Sequence, residues 1–283
     1  MLPSFDGICL KLKRADQQLN ALHRDMREFL DSDPYEPTVQ FRRIRGAREA
    51  PCVMDYSIRM IVKKPCRRVW SAIIGEIIHN LRSALDHAVY QLVIYRTDRP
   101  PADDARTQFP ICLNPLRFNA NALTMLDGVS THTTGLIEQM QPFVTGEGEK
   151  SPLWHLNKLS NIDKHRTLHL TGGTVEAFNF SFPPVVNPGY VPQKHIREQG
   201  AFEHNTEIAW GRMFSDRPMF GYDQVKVQRQ VAFDIVFDQR TPLLAEWSVI
   251  GTLRAIADRV FDCIDTLHRD SLGTAVCLPI GES

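Results

Sequence analysis

The feature that most constrains the fold is the segment 69–95, which has the apolar periodicity of a long helix facing a protein core. Its apolar residues recur every three or four positions, at Trp70, Ile73, Ile74, Ile77, Leu81, Ala84, Leu85, Ala88 and Leu92. The opposite face carries Glu76, His79, Asn80, Ser83, Asp86, His87 and Tyr90. Side chains of these types move protons, bind metals or form buried polar networks, so this face is the first candidate for chemistry.

Three more amphipathic segments predict helices near residues 5–32, 151–165 and 242–269. Ser151-Pro152 and Thr241-Pro242 each pair an N-cap residue with a proline suited to the first helical position. Residues 52–63 alternate as a strand, and residues 166–238 are rich in strand patterns, with a hairpin turn expected at Gly172-Gly173. Because the strands are grouped rather than alternating with helices, we predict an α+β fold. The expected architecture is a helical-bundle core with an antiparallel strand-rich insertion, in a single domain of residues 1–283.

Charge and cysteine usage narrow the class of protein. Lys plus Arg and Asp plus Glu both number 33, so the net charge gives no general attraction to nucleic acid or membrane. The six cysteines form no Cys-x-x-Cys pair, and we find neither a signal peptide nor an apolar run of membrane-spanning length. We therefore expect a cytoplasmic protein with reduced thiols and no membrane partner. Since no glycine-rich phosphate loop is present, we also expect no nucleotide cofactor and no other cofactor.

One local basic cluster lies between Gln40 and Arg68. This stretch contains nine Lys and Arg residues and two acidic residues, which gives a net charge of 9 − 2 = +7. Such a patch suits phosphate binding, and the candidate phosphate ligands are Arg42, Arg43, Arg45, Arg67 and Arg68. The alternative is an ordinary solvated loop and strand.

The long polar face contains an Arg followed after four residues by a His, at Arg82 and His87. On a mostly helical scaffold this resembles the Arg-x4–6-His motif of the HEPN superfamily. The resemblance implies a helical bundle, a homodimer whose cleft brings Arg and His to a phosphate, and metal-independent cleavage of RNA in a toxin or defence system. In that chemistry His87 would be the base that deprotonates a ribose hydroxyl, and Arg82 would stabilise the phosphate.

A structural interpretation of the same residues remains open. Five residues of a regular helix turn about 500°, which leaves Arg82 and His87 some 140° apart, so a kink or a second protomer would have to complete the site. Ser83 also stands where many HEPN members have Asn. Arg82 would otherwise form an ion pair with Asp86 four residues on, and His87 would join a buried polar network.

A second polar group follows the helix predicted at 151–165, in the sequence Asp163-Lys164-His165-Arg166. Lys164 suits a helix carboxyl end, whereas Asp163 and His165 could meet His79 and Asp86 of the long helix. The chain resembles a group of uncharacterised bacterial proteins in which His-Asn-Leu-Arg-Ser-x-Leu-Asp and Asp-Lys-His-Arg segments occur together, a resemblance that implies no activity. We expect supporting polar roles for His79, Asn80, Asp86, Asp163 and His165.

Three functions therefore remain as hypotheses. The leading one is an HEPN-like, RNA-directed protein, either a metal-independent ribonuclease or an inactive relative that binds RNA or protein. The second is a non-catalytic interaction module with a structural polar network. The third is a metal-dependent hydrolase or oxidoreductase. Glu76-x-x-His79 has the ligand spacing of carboxylate-bridged di-iron bundles, but no second Glu-x-x-His is present. A mononuclear site from His79, Asp86 or His87, and Asp163 or His165 is the remaining form of this hypothesis, and we assign no residue as a metal ligand.

Overall fold

The computed structural model describes residues 4–45, 52–174, 195–196, 200–215 and 233–272. They fold into two compact units, one helical and one built on strands. The helical unit takes its described residues from Met1–Arg24, Arg68–Leu168 and Val249–Ser283, and the strand unit from Asp25–Arg67 and His169–Ser248. The α+β prediction is confirmed by this composition, whereas the single domain over residues 1–283 stays a prediction.

The described residues of the helical unit form the four helices that the apolar stripes predicted and three shorter α-helices between the second and the third of them. In chain order they are α1 (Asp6–Asp31, of which residues up to Arg24 belong to this unit), α2 (Val69–Thr97), α3 (Pro115–Met125), α4 (Thr131–Gln139), α5 (Pro142–Thr145), α6 (Pro152–Asp163) and α7 (Val249–Leu272). The four predicted helices are α1, α2, α6 and α7. Helix α2 packs against α6 and α7, which also contact each other. None of the described helices is long and apolar enough to cross a membrane.

Helix α2 is the centre of this unit. Every residue of its predicted apolar stripe is buried except Ile73, which is partly exposed. Ile78, Val89, Val93 and Ile94 are buried as well, so the buried face is wider than the pattern indicated. Full burial of an aliphatic side chain stabilises a fold by about 1.5–3 kcal/mol. The stripe therefore fixes which face of α2 remains available for polar contacts.

One helix start and one helix cap differ from the sequence analysis. Helix α7 begins at Val249, not near Pro242, because the chain before it pairs with a strand: Phe237 donates its N–H to the Trp247 carbonyl at 3.1 Å, and Glu246 donates to the Phe237 carbonyl at 2.9 Å. Helix α6 begins at Pro152 as expected, but the Ser151 side chain makes no capping hydrogen bond.

The strand unit contains two antiparallel sheets. The first has the order β1 (Tyr35–Arg45), β2 (Cys52–Val62), β6 (Thr206–Ser215), β4 (His195–Ile196), and the second has the order β5 (Gly200–Phe202), β3 (Leu170–Thr174), β7 (Phe233–Phe237). Strand β2 matches the prediction for residues 52–63, and its alternate side chains Tyr56, Ile58 and Met60 are buried. Strand β1 was not predicted.

The expected hairpin turn at Gly172-Gly173 is wrong, because both glycines lie inside β3. Gly173 pairs with Ala201 on one side and Asp234 on the other. A Cβ on Gly173 would come within 2.8 Å of a Val236 methyl group, so the glycine makes room for that side chain and forms no turn. The other aromatic and valine positions of the strand-rich segment, Phe178, Phe180, Phe182, Val225, Val227 and Val231, lie outside the described residues.

Candidate functional site

The Arg82–Asp86 ion pair forms, and it holds the main chain of a neighbouring segment. Arg82 Nη2 lies 3.0 Å from Asp86 Oδ1 and donates to the Phe109 carbonyl at 2.7 Å. Asp86 Oδ1 accepts the Phe109 N–H at 2.9 Å. The pair thus satisfies both backbone groups of a residue whose side chain is 0% exposed. Arg82 and Asp86 therefore have a structural task whatever else they do.

Gln141, which the sequence analysis did not single out, continues this support. Its side chain is 0% exposed. It donates to the Pro110 carbonyl at 2.9 Å and to the Ile137 carbonyl at 3.1 Å, and it accepts the Cys112 N–H at 2.9 Å. The Gln141 amide thus supplies the hydrogen bonds that a neighbouring strand would give to the backbone of Pro110 and Cys112. The segment 109–112 is consequently fixed by side chains from α2 and by Gln141, the residue that precedes α5.

A pocket of about 460 Å³ lies beside this segment. Helices α2, α3 and α6 also line it. Six guanidinium or carboxamide side chains face it, and we name it the Arg82 pocket after the first of them: Arg82, Gln108, Asn114, Arg117, Asn121 and Asn157. Ile111, Met125 and Trp154 supply part of its apolar wall, and no Asp or Glu among the described residues lines it. The volume lies in the range of small-molecule sites, roughly 300–1,000 Å³.

The positive charge at the pocket comes mainly from Arg117, because the carboxylate of Asp86 neutralises much of the charge of Arg82. Arg82 uses Nη2 for its contacts with Asp86 and Phe109, which leaves Nε and Nη1 without an acceptor among the described residues. Arg117 is exposed, and its charge lowers the pKa of the Cys112 thiol, although burial raises that pKa overall. The first turn of α3 also begins here, where Asn114 accepts the Arg117 N–H at 2.8 Å. Helix N-termini carry partial positive charge.

His87 is not brought to this pocket. It is an exposed residue and does not line the cavity. Partial burial lowers its pKa, the charge of Lys11 lowers it further, and Asp86 opposes both. A lowered pKa favours the neutral imidazole, which is the form that a general base needs. Arg82 contacts Phe109 and lines the pocket, whereas His87 does not. The Arg82 and His87 side chains of one chain therefore lie in different places and do not form a common site.

Asp163 lies against α2, as the sequence analysis allowed, although Asp86 does not join it. A Cβ on Gly75 would come within 2.8 Å of Asp163 Cγ, so the absent side chain makes room for the carboxylate. Burial raises the pKa of Asp163, while the nearby charge of His79 lowers it. His165 is exposed just beyond α6.

The remaining polar side chains at the start of α2 interact with α1. Asn80 donates to the Gln18 carbonyl oxygen at 3.2 Å, and the amide of Gln18 donates to the Glu76 carboxylate. Both contacts are partly buried. Asn80 therefore belongs to a helix–helix network, which agrees with the structural alternative for this face.

The basic cluster is partly neutralised by acids from other segments. Arg67 forms an ion pair with Asp25, Lys63 with Glu36 at 2.6 Å, and Arg59 with Glu207 at 3.4 Å. Among the candidate phosphate ligands, Arg42 and Arg68 are exposed, and the side chains of Arg43 and Arg45 lie outside the described residues. The described part of the cluster thus offers less free positive charge than the sequence count indicated.

Within the described residues, no three His, Cys, Asp or Glu side chains come close enough to hold a metal ion. The metal-dependent hypothesis therefore has no ligand set in this part of the chain. No protein-family model matches the sequence, and comparisons with curated proteins and with solved structures also find no match. Function has to be argued from the site itself.

Proposed function

We propose that the helical unit binds a small anionic ligand in the Arg82 pocket. The observation that carries the proposal is a cavity of about 460 Å³ that is lined by two arginines and, within the part of the chain that the structure describes, by no acid. This is a form of the non-catalytic interaction module expected from the sequence, with a defined site added to the polar network.

The arginines suit this role for different reasons. Arg82 is preorganised, because its contacts with Asp86 and Phe109 fix the guanidinium while Nε and Nη1 remain available. Arg117 is exposed and has no carboxylate partner among the described residues. An anion would supply that partner and also meet the first turn of α3.

Isothermal titration calorimetry of the full chain with inorganic phosphate and with phosphate monoesters tests the proposal. A charge-assisted hydrogen bond stabilises a complex by about 1.5–3 kcal/mol, so Arg117→Gln should weaken binding about tenfold or more. Higher salt should weaken it further. Arg99→Gln is the matched control, since Arg99 is exposed and lies outside the pocket.

Equal affinity of the wild type and Arg117→Gln would contradict the proposal, as would a loss of affinity in Arg99→Gln of the same size. Failure of every phosphate-bearing ligand to bind would also contradict it. Circular dichroism of each variant confirms that the helical unit is folded.

A second candidate function is metal-independent cleavage of RNA with His87 as the base. The observation that favours it is the exposed imidazole with a lowered pKa. It ranks second because Arg82 is held by Asp86 and Phe109, so a phosphate stabiliser beside His87 would have to come from another residue or a second copy of the chain.

Incubation of single-stranded RNA with the protein and EDTA tests this second function. Cleavage by an attacking 2′-hydroxyl yields fragments that end in a cyclic phosphate, and His87→Ala should abolish them. His132→Ala is a suitable control, because His132 is also exposed but pairs with Asp270. Full activity in His87→Ala would contradict this second function, and so would RNA that stays intact at high concentrations of the wild-type protein.

A further inference from the structure

We infer that the anion taken by the Arg82 pocket is a mononucleotide. This inference rests on the proposed function and adds the chemical class of the ligand. It follows from the positions of the charged, amide and aromatic side chains that α2, α3 and α6 contribute to the cavity.

The phosphate end is formed by the beginning of α3. Asn114 and Pro115 open this helix, Asn114 accepts the Arg117 N–H, and the Arg117 guanidinium is exposed beside them. Arginine recognises phosphate in a two-pronged geometry that a point charge does not provide. The other guanidinium, Arg82, lies on the α2 wall, so two separate walls offer positive charge to the same cavity.

The amide side chains of the pocket suit a ligand that has hydrogen-bond donors and acceptors in addition to its negative charge. Asn157 on α6 has no hydrogen bond to any described residue, and Gln108 uses only its Nε2, which donates to the Ala105 carbonyl. The amino group of Asn121 donates to Cys112 Sγ at 3.3 Å, and its carbonyl oxygen remains available. Carboxamides present a donor and an acceptor side by side, the arrangement that pairs with the edges of nucleobases.

Trp154 adds an aromatic surface on the same helix as Asn157. It is partly exposed, and Lys158 lies 4.7 Å from its ring centroid. Nucleobases stack on aromatic side chains whatever their sequence identity. A free phosphate, or a sugar phosphate without a base, would leave the Asn157 amide without a partner among the described residues and would not stack on the indole.

The chain has no glycine-rich phosphate loop, which is why the sequence analysis expected no nucleotide cofactor. The pocket would bind its ligand through side chains and the first turn of α3. A glycine-rich loop, which binds phosphate through main-chain N–H groups, is therefore not needed. The inferred ligand is a bound small molecule, and no reaction is assigned to it.

Calorimetric titration of the full chain with the four ribonucleoside 5′-monophosphates, ribose 5-phosphate and inorganic phosphate tests the inference. At least one mononucleotide should bind about tenfold or more tightly than ribose 5-phosphate and phosphate. Asn157→Ala and Trp154→Leu should each reduce that preference while leaving the affinity for inorganic phosphate unchanged. Asn161→Ala is the matched control, because Asn161 is exposed on the same helix and does not line the pocket.

The outcomes separate this inference from the function on which it rests. Equal binding of phosphate, ribose 5-phosphate and all mononucleotides would overturn the base-binding inference and leave an anion site. Absence of binding by all six compounds would overturn both. If Trp154→Leu unfolds the protein, Asn157→Ala decides alone, since it removes a side chain with no partner among the described residues.

Discussion

The contact between the Arg82–Asp86 pair and Phe109 gives the sharpest test of the structure. Asp86→Ala removes the acceptor of the Phe109 N–H, which lies 2.9 Å away in a partly buried contact, and also removes the ionic partner of Arg82. Leaving a buried backbone N–H without a partner costs about 1–3 kcal/mol. The ion pair adds about 1 kcal/mol, the upper end of the range for solvent-accessible pairs, because its side chains are only 15% and 26% exposed. The free energy of unfolding should therefore fall by about 2–4 kcal/mol.

Urea denaturation followed by circular dichroism at 222 nm measures this loss. Asp86→Asn keeps an oxygen for the Phe109 N–H and should lose about 1 kcal/mol or less. Arg269→Ala controls for the charge pair alone, because Arg269 forms an i,i+4 pair with Asp265 and is 62% exposed; it should also lose under about 1 kcal/mol. A change of less than about 0.5 kcal/mol in Asp86→Ala, the level of ordinary surface substitutions, would refute the bridging role of this carboxylate.

Three further predictions concern the other polar groups of the helical unit. His87→Ala should change the urea midpoint little, because the residue is exposed; a loss as large as that of Asp86→Ala would show that the imidazole is structural. Gly75→Ala should leave the melting temperature unchanged or slightly higher, since alanine favours helix, but should move the carboxylate of Asp163 away from His79; an unchanged His79 ring signal by NMR would contradict this. Burial lowers the pKa of His155 from its ordinary value of 6.5, so the unfolded state binds more protons below pH 6.5 and stability should fall with falling pH. His155→Gln should flatten that dependence, and an equally steep dependence in the variant would assign the loss to other groups.

The helices could be predicted because their signal is local. The apolar stripe of 69–95 became the buried face of α2, and the spacing of Arg82 and Asp86 produced the expected ion pair. Such patterns repeat within one element, so neighbours three or four residues apart specify them.

The contacts that build the pocket could not be predicted in the same way. Arg82 and Asp86 bind the main chain of Phe109, which any amino acid provides, and Gln141 does the same for Pro110 and Cys112. Backbone partners leave no residue signal in a single sequence. The two glycines were interpreted as a turn for a related reason. Gly173 makes room for the side chain of Val236 on another strand, and the sequence around the glycine does not indicate that neighbour.

The most direct test of the ligand site is the indole N–H signal of Trp154 in a proton–nitrogen NMR spectrum. The chain has four tryptophans, and Trp154→Phe identifies the one that lines the pocket. Its Nε1 is buried and has no hydrogen-bond partner among the described residues, so a ligand against the ring should shift this signal. Titration with 5′-mononucleotides should move the Trp154 signal to saturation and leave the other three unchanged, and Arg117→Gln should require higher ligand concentrations. A Trp154 signal that stays fixed at millimolar ligand, or that moves equally in wild type and Arg117→Gln, would contradict the account.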